Sequence, residues 1–206
     1  MKIKENLEDK LEKLKQTAKK SIRGGDSASA LGVVRELCEI ALTEYENART
    51  DSLTGARNRR YHDERKTREI SDPYAVLFID IDNFKLYNEA DGHHSKQGDV
   101  ILKGVYEALS ETVRSTDTVT RWGGDEFAII LNDIKGEDYA TKVAEKLRRV
   151  VEKMKIPKYR GVTISIGVAS SDTFGTELST LEVEADNALY EAKDKGRNRV
   201  VVAKKR

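Results

Sequence analysis

Thr118-Val119-Thr120-Arg121-Trp122-Gly123-Gly124-Asp125-Glu126-Phe127-Ala128-Ile129-Ile130-Leu131 holds two β-rich runs, Thr118 to Trp122 and Phe127 to Leu131, broken by two glycines and two acids. The pattern predicts a tight hairpin with carboxylates at its tip. Glycine supplies the positive φ of a short turn, and its missing side chain lets a phosphate come close to the backbone. Asp125 and Glu126 are hard oxygen donors suited to a divalent cation. The hairpin therefore marks where a metal-dependent phosphoryl-transfer site can be built.

Upstream of the hairpin, Ala75-Val76-Leu77-Phe78-Ile79 is a continuous apolar run ending in Asp80-Ile81-Asp82. It reads as a central strand that delivers acids at its C-terminal end. A helix is expected from about Asp99 to Arg114, where Ile101, Leu102, Val105 and Leu109 share a face, and another from about Glu137 to Lys155, before Pro157. A strand over Val162 to Ala169, a helix over about Leu178 to Lys195 stopped by Gly196, and the run Val200-Val201-Val202 complete the chain. The order predicts an α+β fold, a ferredoxin-like or palm-type central sheet covered by helices. If the 75–80 strand lies beside the hairpin, Asp80 and Asp125 converge on one or two cations, with Lys85, Lys193 and Arg197 available to neutralise phosphate charge. Singly, each of these is an ordinary solvated charge; their joint placement carries the argument.

The first 50 residues differ in character. Ile3, Leu7, Leu11, Leu14, Ala18 and Ile22 recur at helical spacing, and after Arg23-Gly24-Gly25 either Asp26 or Ser27 can cap a second helix. In that helix Leu31, Val34, Cys38, Ala41, Tyr45 and Ala48 alternate three- and four-residue steps, the seam of a coiled coil. Residues 1–50 are thus expected to form a helical hairpin or coiled-coil arm, docked on its own domain or pairing with a second copy, and residues 51–206 the catalytic domain. Cys38 reads as a small seam residue. Across the 206 residues, 37 basic side chains face 36 acidic ones, a net charge of +1. No global field recruits DNA, RNA or a membrane surface, so a phosphate ligand must be held locally. One cysteine forms no internal disulfide, and no run is long and apolar enough to span a bilayer. These features predict a soluble cytoplasmic protein.

Several ordered motifs resemble one family. They are Asp51-Ser52-Leu53-Thr54-Gly55 with Asn58-Arg59-Arg60, Phe78-Ile79-Asp80-Ile81-Asp82-Asn83-Phe84-Lys85, Asn88, Gly92-His93, Gly98-Asp99, Arg121-Trp122-Gly123-Gly124-Asp125-Glu126-Phe127, Ala185-Asp186-Asn187-Ala188-Leu189-Tyr190, Ala192-Lys193 and Gly196-Arg197-Asn198. Their order and spacing over residues 51 to 203 are similar to the GGDEF domain. The resemblance implies diguanylate cyclase activity: two GTP become cyclic di-GMP and two pyrophosphates across a homodimer, each domain holding one nucleotide. It implies Asp80, the Ile81 carbonyl and Asp125 as ligands of Mg2+, with Mn2+ as the substitute. Asp125 would assist deprotonation of the 3′-hydroxyl, and Glu126 is a second acid at that edge. Asn88 and Asp99 correspond to the guanine-reading pair, Lys85, Lys193 and Arg197 to phosphate contacts, and Phe84 to the pocket floor through its backbone or to plain core. Arg114-Ser115-Thr116-Asp117, five residues before Gly123, resembles the family's inhibitory site, which binds the product cyclic di-GMP.

The chain also departs from the family pattern. Between His93 and Gly98 stand His94-Ser95-Lys96-Gln97, two residues more than the family's spacing, which predicts a longer loop beside Asp99 and leaves a cyclase that accepts ATP with GTP as one alternative. The His93-His94 pair reads as solvated loop, since no other histidine clusters with it. Glu89 and Ala56 replace a usual Asp and Leu without touching an assigned residue. The alternative of another class is a non-catalytic cyclic di-GMP receptor that signals through the arm.

Overall fold

The computed structural model describes residues 2–65, 72–89, 96–155 and 161–205, the side chains of 2–11, 88, 89 and 96 excepted. The chain forms two compact units, Met1–Ala48 and Arg49–Arg206.

In the first unit, α1 (Lys2–Arg23) packs along α2 (Ser27–Asn47). Asp26 caps α2, its carboxylate accepting from the Ser29 amide at 3.1 Å. Leu14 and Val33 are the buried apolar side chains of this pair among the described residues. The anticipated seam lies elsewhere on α2: Leu31 is 71% exposed, Val34 53% and Tyr45 46%, and Cys38 and Ala41 are exposed with them. α2 therefore carries two apolar stripes, one spent on α1.

The second unit opens with a two-residue strand β1 (Arg57–Asn58) and a short helix α3 (Arg59–Arg65), neither long enough to leave a periodic signal. Then follow β2 (Ala75–Ile81), α4 (Phe84–Glu89), α5 (Lys96–Thr112), β3 (Thr118–Gly123), β4 (Glu126–Leu131), α6 (Glu137–Glu152), β5 (Ile164–Ser170), α7 (Ser171–Phe174), α8 (Leu178–Asp194) and β6 (Val200–Val202). The six strands make one sheet in the order β1-β3-β4-β2-β5-β6, as the α+β expectation requires. β2 is central and antiparallel to both β4 and β5, while the outer pairs β1/β3 and β5/β6 are parallel.

Alternation along β2 divides the core. Ala75, Leu77, Ile79 and Ile81 pack with Ile101, Val105 and Leu109 of α5 and Ala140, Ala144 and Leu147 of α6. Val76 and Phe78 face the other way, toward Leu181, Ala185 and Leu189 of α8. With a period of two, Asp80 falls on the α8 face, which fixes the site's cation donors. α8 lies very close to the sheet there: a Cβ on Gly167 would stand 2.0 Å from the Ala185 carbonyl oxygen and 2.3 Å from the Leu189 nitrogen. Glycine at this β5 position lets α8 approach.

Candidate active site at the hairpin

The hairpin forms as its residue types dictate. Gly123 pairs with Glu126, Gly124 turns the chain at φ 37°, and a register shift between Arg121 and Gly123 bulges the strand at Trp122. Only the second glycine takes the positive φ. The bulged Trp122 ring meets His62 and Phe78 edge-on, at 4.9 and 5.0 Å between centroids, and the Arg59 guanidinium lies 4.5 Å above it. His62, fully buried, is held in turn by Glu182 of α8 at 2.9 Å.

Arg121 ties the hairpin to the chain's entry into this unit. Its Nε and Nη2 donate to the Gly124 carbonyl at 3.0 and 2.7 Å, and its Nη1 donates to both carboxylate oxygens of Asp51 at 3.1 and 3.3 Å. The Thr54 amide and hydroxyl also donate to Asp51, at 2.9 and 2.7 Å. Burial works to raise the Asp51 carboxyl, but the Thr54 bonds and the Arg121 guanidinium outweigh it and hold it below the usual carboxylate range. The sequence offered one sign of this network, Thr three residues after Asp51, a common Asx-type turn. The pairing with Arg121 across 70 positions left none.

Asp80 sits opposite Glu126 in the β2/β4 register, and the Ile81 amide donates to the Asp125 carbonyl at 3.3 Å. The strand end and the hairpin tip are thus joined, which meets the condition under which Asp80 and Asp125 converge. Lys193 of α8 places its Nζ 2.7 Å from an Asp80 oxygen. Burial pushes the Asp80 carboxyl up to about 6; the Lys193 ammonium opposes the rise, and the Asp125 and Glu126 carboxylates add to it. A convergence of acids that already binds an ammonium is a fitting cradle for a hard divalent cation. Among the described residues no three acidic, histidine or cysteine side chains form a metal cage by themselves. Two carboxylates plus a backbone carbonyl, completed by phosphate oxygens and water, is the donor set Mg2+ favours.

The neighbouring acid Asp82 has a different occupation. It is 2% exposed and accepts from the Thr163 hydroxyl at 2.7 Å, the Ser165 hydroxyl at 2.6 Å and the Asn198 amide N–H at 3.0 Å. Lys85 is exposed at the start of α4, Asp99 is exposed in the first turn of α5, and Arg197 is exposed just past α8. The Phe84 side chain belongs to the core, so only its backbone is left for a ligand. Asn88 lies on α4, but its side chain, like all of Gly92, His93 and His94, is outside the described residues. Of the inserted stretch, Lys96 and Gln97 form the first turn of α5, which begins earlier than its apolar face announced.

The Arg114/Asp117 pair sits on a cleft of about 500 Å3 that is also lined by Arg57, Arg65, Tyr61 and Tyr106. The Arg114 guanidinium lies over the Tyr139 ring at 4.9 Å. Asp117 accepts from the Arg114 and Asn132 amides at 2.9 and 3.0 Å, so it builds the turn that presents the arginine.

The chain is similar to known proteins in both sequence and fold. The chain is 36% identical over 171 residues to the bifunctional diguanylate cyclase/cyclic di-GMP phosphodiesterase MucR of Pseudomonas aeruginosa, covering 80% of this chain and 24% of that protein. It is 43% identical over 140 residues to diguanylate cyclase A of Treponema denticola, covering 66% and 37%. The chain spans less than half the length of these relatives. Among solved structures, the coiled coil and GGDEF domain of DgcB from Caulobacter crescentus in complex with c-di-GMP superposes with a TM-score of 0.76 at 28% identity, over 89% of this chain and 100% of that one. Among the described residues no helix is long and apolar enough to cross a membrane. The family model for the diguanylate cyclase GGDEF domain matches residues 48–199, which takes in the hairpin, the strand bearing Asp80 and the helix bearing Lys193, and the chain belongs to that family.

Proposed function

We propose that this chain is a diguanylate cyclase: two copies, each holding one GTP, condense them into cyclic di-GMP with release of two pyrophosphates. The observation that carries the reading is the meeting of Asp80, the acidic hairpin tip and the Lys193 ammonium at one sheet end. Asp80, the Ile81 carbonyl and Asp125 would hold Mg2+, or Mn2+ in its place, which when bound polarises the α-phosphate and makes the attacking hydroxyl more acidic. Lys193, already on the Asp80 carboxylate, would also meet phosphate charge, and Arg197 and Lys85 would add cations from the end of α8 and the start of α4. Asn88 and Asp99 read the guanine edge, an amide and a carboxylate matching its acceptors and donors. In each half-reaction the bond from the 3′-oxygen to the partner nucleotide's α-phosphorus forms, the bond to pyrophosphate breaks, and the hydroxyl proton leaves toward Asp125.

Because two domains must face one another, whatever raises their local concentration sets the rate. The exposed stripe Leu31, Val34, Cys38, Ala41 and Tyr45 supports pairing of α2 with a second copy. The Arg57, Arg65 and Arg114 cleft supports product binding, since guanidinium forks suit phosphate and guanine edges. Pyrophosphate release from GTP with Mg2+, compared between the wild type and Asp125→Asn, tests the reading: release is expected to be lost in the variant. Equal release from both would remove the hairpin from the chemistry.

A further inference from the structure

Past α8 the backbone does something costly. Gly196 at φ 106° closes the helix, with the Arg197 amide donating to the Ala192 carbonyl at 3.0 Å, and then Arg197 (φ 62°) and Asn198 (φ 45°) both stay in the left-handed region. Consecutive non-glycine residues there persist only where the surroundings over-determine them, and such places gather at functional sites. Asn198 supplies the determination. Its amide N–H donates to buried Asp82, its side-chain oxygen accepts from Arg148 Nη1 at 2.9 Å, and its side-chain nitrogen donates to Glu152 Oε1 at 2.7 Å. Arg148 in turn bonds Glu152 at 3.0 Å and Glu145 at 3.1 Å. The Asn198 and Arg148 bonds hold the exposed Glu152 carboxyl below its usual range, a sign that the network favours the charged form.

We infer that Asn198, locked by Arg148 and Glu152 of α6 and by Asp82 at the end of β2, is the positioning residue that fixes the left-handed turn and so aims Arg197 at the nucleotide's phosphates. Asp82 is then no third metal ligand. It anchors the phosphate-binding turn to the strand end that carries Asp80, so cation site and phosphate site share one mount. This inference rests on the reading of Arg197 as a phosphate contact, and the test separates the two.

The test uses the full chain with Mg2+ and a non-hydrolysable GTP analogue, binding being read by calorimetry, together with KM and kcat for GTP. Asn198→Gly keeps a residue that tolerates positive φ and removes the side-chain amide hub, and Arg148→Met removes the arginine's share of the lock from α6. Each is expected to weaken the analogue roughly five- to tenfold and to raise KM with kcat nearly unchanged, since the loss is of ground-state and transition-state binding alike. Glu152→Gln keeps an acceptor for the Asn198 amide and is expected to bind close to wild type. Arg197→Ala is expected to weaken binding on the order of tenfold or more, as for a lost charge-assisted hydrogen bond. In the Arg197→Ala background, Asn198→Gly is expected to cost almost nothing further, because it acts through the side chain already removed. If Asn198→Gly leaves affinity unchanged while Arg197→Ala weakens it, or if the two losses simply add, the positioning role is overturned and the phosphate reading stands. If Arg197→Ala binds as wild type, the phosphate reading falls and the inference with it.

Discussion

Asp80→Asn is expected to make the metal-free protein more stable at alkaline pH. The Asp80 carboxyl lies at about 6 in the folded chain against an ordinary 3.8, a rise of about two units. At 1.36 kcal/mol per unit, keeping this group ionised in the fold costs about 3 kcal/mol at pH 8. The sign is that of a group whose folded value is raised: its contribution is fully present below pH 3.8 and is lost as pH rises through about 6. Asparagine has the same shape and no charge to desolvate, so the variant escapes the cost at pH 8 and gains nothing near pH 3.5. At a few degrees per kcal/mol for a unit of this size, the melting temperature is expected to rise by roughly 6–10 °C at pH 8. Thermal unfolding in EDTA, followed by near-ultraviolet circular dichroism, measures this. A variant that melts below wild type at pH 8, or a difference independent of pH, would show that Asp80 is not raised by burial in the fold. The same coupling predicts that wild-type Mg2+ affinity falls as pH drops through about 6, because the cation must displace a proton.

Gly167→Ala is expected to destabilise the second unit by at least about 3 kcal/mol in denaturant titration, since the new Cβ meets α8 backbone that cannot yield. Arg121→Lys is expected to cost on the order of 1–3 kcal/mol and to speed amide exchange in the hairpin, a point charge being unable to bridge the Gly124 carbonyl and Asp51 together. Deleting residues 1–48 is expected to lower specific cyclase activity at low protein concentration and leave it intact at high concentration; equal loss at both would assign the arm a purely stabilising role. Arg114→Ala is expected to shift the product inhibition curve to higher cyclic di-GMP, and an unmoved curve would discard the Arg114/Asp117 assignment.

Sequence patterning revealed much of this architecture because long apolar periods survive into the fold. β2, the hairpin, α6 and α8 lie where their residues announce them, and Asp26 takes the capping role available to it. What escaped reading is short or tertiary. β1 has two residues and α3 seven, too few for a period to show. Asp80 and Asp82 look equivalent in sequence, both on one face two residues apart. They diverge because Lys193 reaches one, while Thr163, Ser165 and Asn198 satisfy the other. Phe84 follows a motif of acids yet its ring is buried in the core that β2 shares with α5 and α6. The left-handed pair Arg197 and Asn198 has no local signature beyond the preceding glycine, because its lock comes from α6 and from Asp82 just past β2.

Cyclisation at the hairpin by paired domains fixes a stoichiometry. Purified chain at dimer-forming concentration, supplied with GTP and Mg2+, is predicted to yield one cyclic di-GMP and two pyrophosphates for every two GTP consumed, as quantified by mass spectrometry. GTP left intact at every protein concentration, or consumed without cyclic di-GMP appearing, would contradict it.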